Sequence, residues 1–132
     1  MPFPNEILTE RLLLRPPTET DAERMFARYC QDVEVCRYMS WEPHTSIDDT
    51  IAFARKTIAD NTAGLLVVRL IFFRETGELL GSIAGAIQSH RVQFGYCLAR
   101  DAWGRGYATE AARVYVAEIM SDPRVWRIQA YC

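Results

Sequence analysis

Lysine is almost missing from this sequence: Lys56 is the single one, and it does not adjoin a glycine. A P-loop needs a lysine directly after its second glycine, so P-loop nucleotide hydrolases are excluded. The other fourteen basic residues are arginines, and the net charge at neutral pH is only −2. A chain with this charge has no general attraction for nucleic acid or for anionic membranes, so we expect neither as a partner.

Long apolar runs are also missing. The longest one, residues 65–73, is interrupted by Arg69 and is too short to span a bilayer. The N-terminal segment has neither the basic nor the apolar part of a signal peptide. These absences lead us to expect a cytoplasmic protein.

Cysteine occurs without the spacing of a metal site. The four cysteines form no Cys-x-x-Cys pair, and neither histidine stands at ligand spacing from them. We therefore expect reduced thiols and no metal. Cys97 has no neighbouring His–Asp or His–Asn grouping that would activate a nucleophile, so we interpret it as a small buried residue.

Length and composition indicate a single domain covering residues 1–132. Hydrophobic residues make up 49% and charged residues 24%, which is ordinary for a soluble globular protein. Capping, turn and periodicity signals then predict the elements of this domain. In chain order these are a strand at 12–15, a helix after Thr18, a helix after Ser46 with a buried stripe of Ile47, Ile51, Ala54 and Ile58, strands at 65–73, 79–87 and 91–99, a helix at 106–120 and a strand at 125–132.

The segment with the most chemical information is residues 103–111, Trp-Gly-Arg-Gly-Tyr-Ala-Thr-Glu-Ala, directly after a predicted strand. Two glycines flanking an arginine let the backbone approach a ligand closely. The first turn of the following helix offers unpaired N–H groups and the positive end of its dipole, which together bind phosphate. A dinucleotide fingerprint needs glycine or alanine where this chain has Thr109, so that interpretation is weak.

The spacing of residues 103–108 resembles the pyrophosphate loop of the GCN5-related N-acetyltransferases (GNAT), Gln/Arg-x-x-Gly-x-Gly/Ala. Trp103 departs from the first position of that pattern, but tryptophan is usual there in the ribosomal-protein N-terminal acetyltransferase-like branch. Further resemblances to that branch are found at residues 9–15, 77–83, 94–96 and 126–132, so that nearly the whole chain is covered.

The resemblance implies an α/β (α+β) fold with a mixed, mostly antiparallel sheet flanked by helices. It extends only through the fifth strand of the family. Family members continue with a helix and a final pair of strands, so we expect residues 1–132 to form a C-terminally incomplete domain. The apolar–polar alternation of residues 125–132 then predicts a homodimer or higher oligomer through this last strand.

The resemblance also implies acetyl-CoA as co-substrate and an amine acceptor, either a protein N-terminus or a small molecule. The pantetheine arm would pair with the fourth strand, where a backbone amide polarises the thioester carbonyl, and the pyrophosphate would lie on the glycine segment. By match, the cofactor-binding residues are Tyr96, Cys97, Leu98, Ala99, Trp103, Gly104, Arg105, Gly106, Tyr107, Ala108 and Thr109. Of these, we expect Tyr96 to belong to the core and Trp103 to serve packing.

The catalytic base is not evident from the sequence. Where the family often has a glutamate, at the start of the fourth strand, this chain has Gln93, which cannot accept a proton. His90 is an alternative base with a suitable ordinary pKa. Trp41, Glu42 and His44, in a proline-bearing aromatic segment, are candidates for the acceptor wall.

Two classes of function follow from these residues. The first is an acetyl-CoA-dependent N-acetyltransferase. The second is a non-catalytic acyl-CoA-binding remnant, or one part of a protein completed by another chain. Gln93 favours the second class, and the family resemblance favours the first.

Overall fold

The protein forms one six-stranded sheet with helices on both faces. The computed structural model describes residues 6–37, 42–122, 125 and 127–130. The strands follow one another across the sheet in chain order, and all neighbours are antiparallel except the last pair, β5 and β6. Their bounds are β1 Ile7–Leu8, β2 Leu12–Arg15, β3 Leu66–Phe73, β4 Leu79–Gln88, β5 Arg91–Leu98 and β6 Arg127–Ala130. The mixed, mostly antiparallel sheet expected from the sequence is therefore confirmed.

The helices begin at the residues that the capping signals indicate. Thr18 and Asp21 form a capping box, in which the Thr18 amide donates to the Asp21 carboxylate at 2.8 Å. Ser46 is the N-cap of the second predicted helix. The α-helices are α1 Ala22–Met25, α2 Val33–Cys36, α3 Ile47–Thr62 and α4 Tyr107–Met120.

The first predicted helix is not one regular helix. A 3₁₀ turn at Glu19–Asp21 precedes α1, and a π-helical turn follows it at Phe26–Cys30. The wider π turn brings two consecutive residues, Tyr29 and Cys30, to the core side, where both are buried. The short helix α2 had no periodic signal in the sequence.

Two hydrophobic clusters cover the two faces of the sheet. One lies between the sheet and α4 and includes Val92, Phe94, Ala111, Tyr115 and Ile119. The other lies between the opposite face and the helices before β3, and includes Met25, Tyr29, Ala54, Leu70 and Cys97. Side chains of β5 alternate between the two clusters, as expected for a strand covered on both faces.

The buried stripe of α3 differs from the prediction. Ala54 is fully buried as expected, but Thr50 and Thr57 are the other buried residues of this helix, and the isoleucines are only partly buried. The buried face of this helix thus carries two threonines. The Thr50 hydroxyl can be buried because it forms a hydrogen bond with the His44 ring, at 2.7 Å between Oγ1 and Nδ1.

None of the helices in the described residues has the length and apolar character needed to cross a bilayer.

Candidate functional site

Strand β6, as far as the structure describes it, pairs with only the first half of β5. Among the described residues, the parallel register runs from Arg91–Arg127 to Phe94–Ala130. The antiparallel register with β4 continues further, to Leu98. The second half of β5 therefore has a partner on one side and an open edge on the other within the described part of the chain.

The backbone groups on this open edge belong to Tyr96 and Leu98. The His90 carbonyl accepts from the Arg127 amide on the β6 side, whereas the Ala99 amide donates to a β4 carbonyl at 2.8 Å. Successive residues of a strand present their backbone groups to opposite sides, so even-numbered residues of β5 face β6 and odd-numbered ones face β4. Cys97 and Ala99 thus use their backbone groups towards β4.

The Trp103 side chain forms a hydrogen bond with one of the backbone carbonyls on the open edge. Its indole Nε1 donates to the Leu98 carbonyl at 2.9 Å, while 48% of the residue remains exposed. The groups left facing the open edge, within the described residues, are the Tyr96 N–H and C=O and the Leu98 N–H. These can pair with an extended molecule that carries amides.

The glycine loop, residues 103–108, connects β5 to α4 in a left-handed conformation at two positions. Gly104 has a φ of +73° and Gly106 a φ of +79°. A non-glycine residue is strained at either position. Gly106 is the N-cap of α4 and accepts the first helical bond, from the Glu110 amide at 3.1 Å.

The first turn of α4 offers backbone donors. The N–H groups of residues 107–109 precede that first helical bond, and within the described part of the chain none donates to a protein acceptor. Gly106 has no side chain to cap them. Three unpaired N–H groups at the positive end of a 14-residue helix are donors of the kind that bind an anion.

A cleft joins this helix start to the open edge of β5. It has a volume of about 500 Å³ and is lined by Tyr96 and by one side of α4. Ala108, Ala112 and Val116 form its apolar wall at helical spacing, and Thr109 and Arg113 lie at its rim. An elongated ligand with an apolar or amide-bearing arm and an anionic group fits this arrangement.

The Glu110 carboxylate lies in the first turn of α4, and its charge is paired with that of Arg11. Glu110 accepts hydrogen bonds from the Thr9 hydroxyl, from the Arg11 amide at 3.0 Å and from Arg11 Nε at 2.7 Å. Partial burial raises the pKa of Glu110, but these three donors outweigh it and lower the pKa below its ordinary value. Sequence reasoning missed this contact, because Thr9 and Arg11 are far from Glu110 along the chain.

Two ion pairs tie the segment between β5 and α4 to the helices on the other side. Arg28 donates to both carboxylate oxygens of Asp101 at 2.9 and 2.8 Å. Arg100 donates to both oxygens of Asp32 at 2.8 Å each. These hydrogen bonds lower the pKa of each aspartate, which stays ionised at neutral pH. In the first pair the helical layer supplies the arginine, and in the second it supplies the aspartate. Together the two pairs fix the position at which the glycine loop begins.

The structure corrects one expected packing role and confirms another. Tyr96, expected in the core, is 50% exposed and lines the cleft, because no described β6 residue covers β5 beyond Phe94. Cys97 is a buried free thiol whose pKa is raised by burial, as expected for a packing residue. Arg105 is exposed and its Nε donates to the Asp101 carbonyl at 3.0 Å. Tyr107 is buried, so only its backbone is available to a ligand.

The two candidate bases lie at different distances from the open edge. Gln93 is half-buried and pairs with Ala86 and Gln129 just before the register with β6 ends. His90 is exposed in the β4–β5 turn, about 20 Å along the strand from Tyr96. Gln93 is therefore the nearer of the two to the open edge.

The candidate acceptor residues are described only in part. Trp41 lies outside the described residues, and Glu42 is exposed. The His44 ring contacts the Thr50 hydroxyl and packs edge-on against Phe53, with ring centroids 5.5 Å apart. Burial lowers the pKa of His44, and the nearby Asp49 carboxylate only partly opposes this. The ring thus anchors the start of α3.

No group of three or more metal-ligating side chains is found within the described residues. Cys30, Cys36 and Cys97 are free and buried. Burial raises the pKa of Cys30 to about 12 and that of Cys36 to about 11, so these thiols stay protonated at neutral pH.

Comparisons with known proteins identify the family of this chain. The family model of the acetyltransferase (GNAT) domain matches residues 11–132. The uncharacterised N-acetyltransferase YoaA of Bacillus subtilis is 35% identical over 125 residues, which cover 92% of this chain and 70% of YoaA.

Solved structures share the fold. A GNAT-family acetyltransferase from Bacillus anthracis superposes with a TM-score of 0.82 at 25% identity, over 96% of this chain and 73% of that one. The ribosomal alpha-N-protein acetyltransferase RimL in complex with coenzyme A superposes with a TM-score of 0.83 at 19% identity, over 92% of this chain and 71% of RimL. The family model covers most of this chain, and YoaA is more than 30% identical to it. The chain therefore belongs to the GNAT family of acetyltransferases.

Proposed function

We propose that this acetyltransferase uses acetyl-CoA as its acyl donor and transfers the acetyl group to a primary amine. The observation that carries the proposal is the meeting of the open β5 edge and the donor-rich start of α4 at a single cleft. Acetyl-CoA has an amide-bearing arm and a diphosphate, and each part needs one of these two features. RimL, which shares the fold, was solved with coenzyme A.

The glycine loop fits the diphosphate. Gly104 and Gly106 have no side chain that would keep an anion from the backbone, and the amides of residues 107–109 have no acceptor within the described residues. Arg105 is exposed beside them and adds positive charge. Glu110 does not repel the anion, because Arg11 pairs with it.

The open edge fits the pantetheine arm. Its amides would pair with the Tyr96 and Leu98 backbone as an added strand does. A backbone N–H on this edge that donates to the thioester oxygen would stabilise the negative charge that develops there during attack. The apolar wall of Ala108, Ala112 and Val116 would cover the aliphatic part of the arm.

In the transfer, the neutral amine attacks the thioester carbonyl, a C–N bond forms and the C–S bond breaks. The amine proton passes to a base or to water, and the sulfur leaves as coenzyme A thiolate, which takes up a proton. Gln93 stands nearest to the expected base position and cannot accept the proton. We therefore assign proton removal to solvent or to a residue other than Gln93. The acceptor is a primary amine of a protein N-terminus or of a small molecule.

A second candidate function is acyl-CoA binding without turnover. Gln93 is the observation that favours it, since the amide side chain lacks the basicity of a glutamate. The two candidates share the same binding site and differ only in whether coenzyme A is released.

Binding is tested by thermal unfolding with acetyl-CoA. A ligand at about a hundred times its dissociation constant stabilises the native state by roughly 2.7 kcal/mol. Gly106→Glu places a negative side chain where the diphosphate should lie, and it should abolish this stabilisation. Gly77→Glu is the matched control, because Gly77 has nearly the same φ of +78° but lies in the β3–β4 turn. Equal ligand stabilisation of both variants would remove the glycine loop from the site.

Turnover is tested by coenzyme A release in the presence of N-terminal peptides and small amines. Release that depends on the amine, together with mass-spectrometric detection of the acetylated amine, supports the enzyme. Binding of acetyl-CoA with no release for any acceptor would favour the non-catalytic function.

A further inference from the structure

We propose that Arg11 is the residue that positions the glycine loop for the diphosphate, acting through Glu110 and the loop backbone rather than on the reacting atoms. This inference rests on the proposed acetyl-CoA site. The juxtaposition that carries it is an arginine of the β1–β2 connection packed against the back of a loop that is distant in sequence.

Arg11 contacts the loop directly. Its Nη1 donates to the Arg105 carbonyl at 2.9 Å. Its Nη2 lies 3.4 Å from the position that a Gly106 Cβ would occupy. The guanidinium therefore supports the loop at the two residues between which the backbone enters the helix.

The orientation of Arg11 is itself fixed by the first turn of α4. Nε donates to Glu110 at 2.7 Å, and the Arg11 backbone N–H donates to the other carboxylate oxygen at 3.0 Å. The guanidinium carbon lies 4.6 Å from the centre of the Tyr107 ring. One side chain thus joins residues 105, 107 and 110, which stand before and after the helix start.

Charge adds a second reason for this arrangement. Glu110 lies in the first turn of α4, at the end where a diphosphate would lie. An unpaired carboxylate at that position would repel the diphosphate, and Arg11 cancels its charge. A lysine in place of Arg11 would keep the charge but could not donate to Glu110 and to the Arg105 carbonyl in the same fork geometry.

The test compares Arg11→Met, Arg11→Lys and Arg11→Met/Glu110→Gln with a matched control. Arg74→Met is the control, because Arg74 also donates to the β1–β2 connection, through Nη1 to the Thr9 carbonyl at 2.8 Å, but within the described residues it has no hydrogen bond to the glycine loop. Circular dichroism and the thermal midpoint establish that each variant is folded. The measurements are the dissociation constant of coenzyme A, KM and kcat for acetyl-CoA, and, without ligand, hydrogen exchange of the Glu110 amide, which donates to the Gly106 carbonyl of the loop.

We expect Arg11→Met to raise the dissociation constant and KM about tenfold, with a smaller change in kcat, since one charged hydrogen bond and one repulsion are involved. Arg11→Lys should raise them less, and Glu110→Gln should recover part of the loss in the double variant. Exchange of the Glu110 amide should be faster in Arg11→Met than in Arg74→Met. The control should bind coenzyme A within about twofold of the wild-type protein.

Two outcomes would overturn the proposal. One is that Arg11→Met binds coenzyme A like the control. The other applies if Arg11→Met does not fold: Arg11→Lys then matches the wild-type protein both in its dissociation constant for coenzyme A and in the exchange of the Glu110 amide. Failure of the wild-type protein to bind coenzyme A would instead refute the proposed function, and the ligand-free exchange would still decide whether Arg11 holds the loop.

Discussion

Arg28 and Asp101 face each other across the boundary between the helical layer and the loop that follows β5, and both carboxylate oxygens accept from the guanidinium. Arg28 also donates through Nε to the Leu79 carbonyl at 2.8 Å, so it links the π-helical turn, β4 and this loop. The Arg28 side chain is 24% exposed and that of Asp101 is 62% exposed, so the pair lies at the surface with its guanidinium partly shielded from water.

We predict a measurable coupling between these two residues. A double-mutant cycle of Arg28→Met and Asp101→Asn should give about 1 kcal/mol, since the geometry is bidentate and the guanidinium is partly shielded from water. The cycle for Arg55 and Glu19 is the control, because both side chains are more than half exposed. Its coupling should be near the lower end of the range for surface pairs. Equal couplings in urea unfolding would contradict the prediction.

Asp21 should make the stability depend on acidic pH. Burial disfavours its charge, but hydrogen bonds from Arg15 and Thr18 outweigh this and lower its pKa to about 2. A carboxylate with a depressed pKa in the folded state stabilises above its unfolded pKa, and the gain is lost as the pH falls through the folded pKa. The free energy of unfolding should therefore drop by about 2 kcal/mol from Asp21 alone between pH 5 and pH 2.

The measurement for Asp21 is urea unfolding across this pH range for the wild-type protein and Asp21→Asn. The variant is less stable at neutral pH, because the buried Asp21 also pairs with Arg24, and its stability should vary less with pH. Parallel curves for the two proteins would show that other carboxylates cause the acid sensitivity.

Gln93→Glu should increase the rate of acetylation. If proton removal limits the reaction, a carboxylate at this position supplies a base, and a gain of about 10²-fold in kcat is expected. Gln88→Glu is the control, since Gln88 is exposed at the end of β4. Rates are compared on an amine that the wild-type protein already acetylates. A gain equal to that of the control would place proton removal elsewhere.

The buried cysteines should resist alkylation. Because burial raises the pKa of Cys30 to about 12 and that of Cys36 to about 11, the thiolate fraction near neutral pH is very small. Iodoacetamide should leave Cys30, Cys36 and Cys97 unmodified in the folded protein and modify them in guanidinium chloride. Peptide mass spectrometry identifies the labelled residues. Labelling of Cys97 in the folded protein would mean that the sheet opens at β5.

Local signals in the sequence predicted much of this fold. Thr18 and Ser46 marked helix starts because a cap needs only its nearest neighbours in the chain, and Gly77 marked the β3–β4 turn because its φ of +78° favours glycine. The glycine loop was found for the same reason. That these loop residues bind acetyl-CoA stays a prediction, as does the expected homodimer or higher oligomer.

Features that depend on distant partners were missed. Tyr96 is exposed and lines the cleft beside α4, and the alternation within β5 does not reveal which of its side chains a neighbouring element covers. The contacts of Glu110 with Thr9 and Arg11 join the two ends of the domain, and a glutamate in a first helical turn already has a local explanation through the helix dipole. The burial of Thr50 accompanies a hydrogen bond with His44, which precedes α3 and so lies outside the helical periodicity on which the prediction was based.

The order of the strands has a consequence for how the chain folds. Gln88 pairs with Arg91 across a tight turn, whereas the pairing of Arg15 with Leu70 closes a long loop that contains α1, α2 and α3. Closing a long loop costs entropy before its contacts form, so the β3–β5 meander should assemble early and β2 should join it late. Arg11 directly precedes β2. The glycine loop should therefore acquire its fixed conformation in one of the last steps of folding.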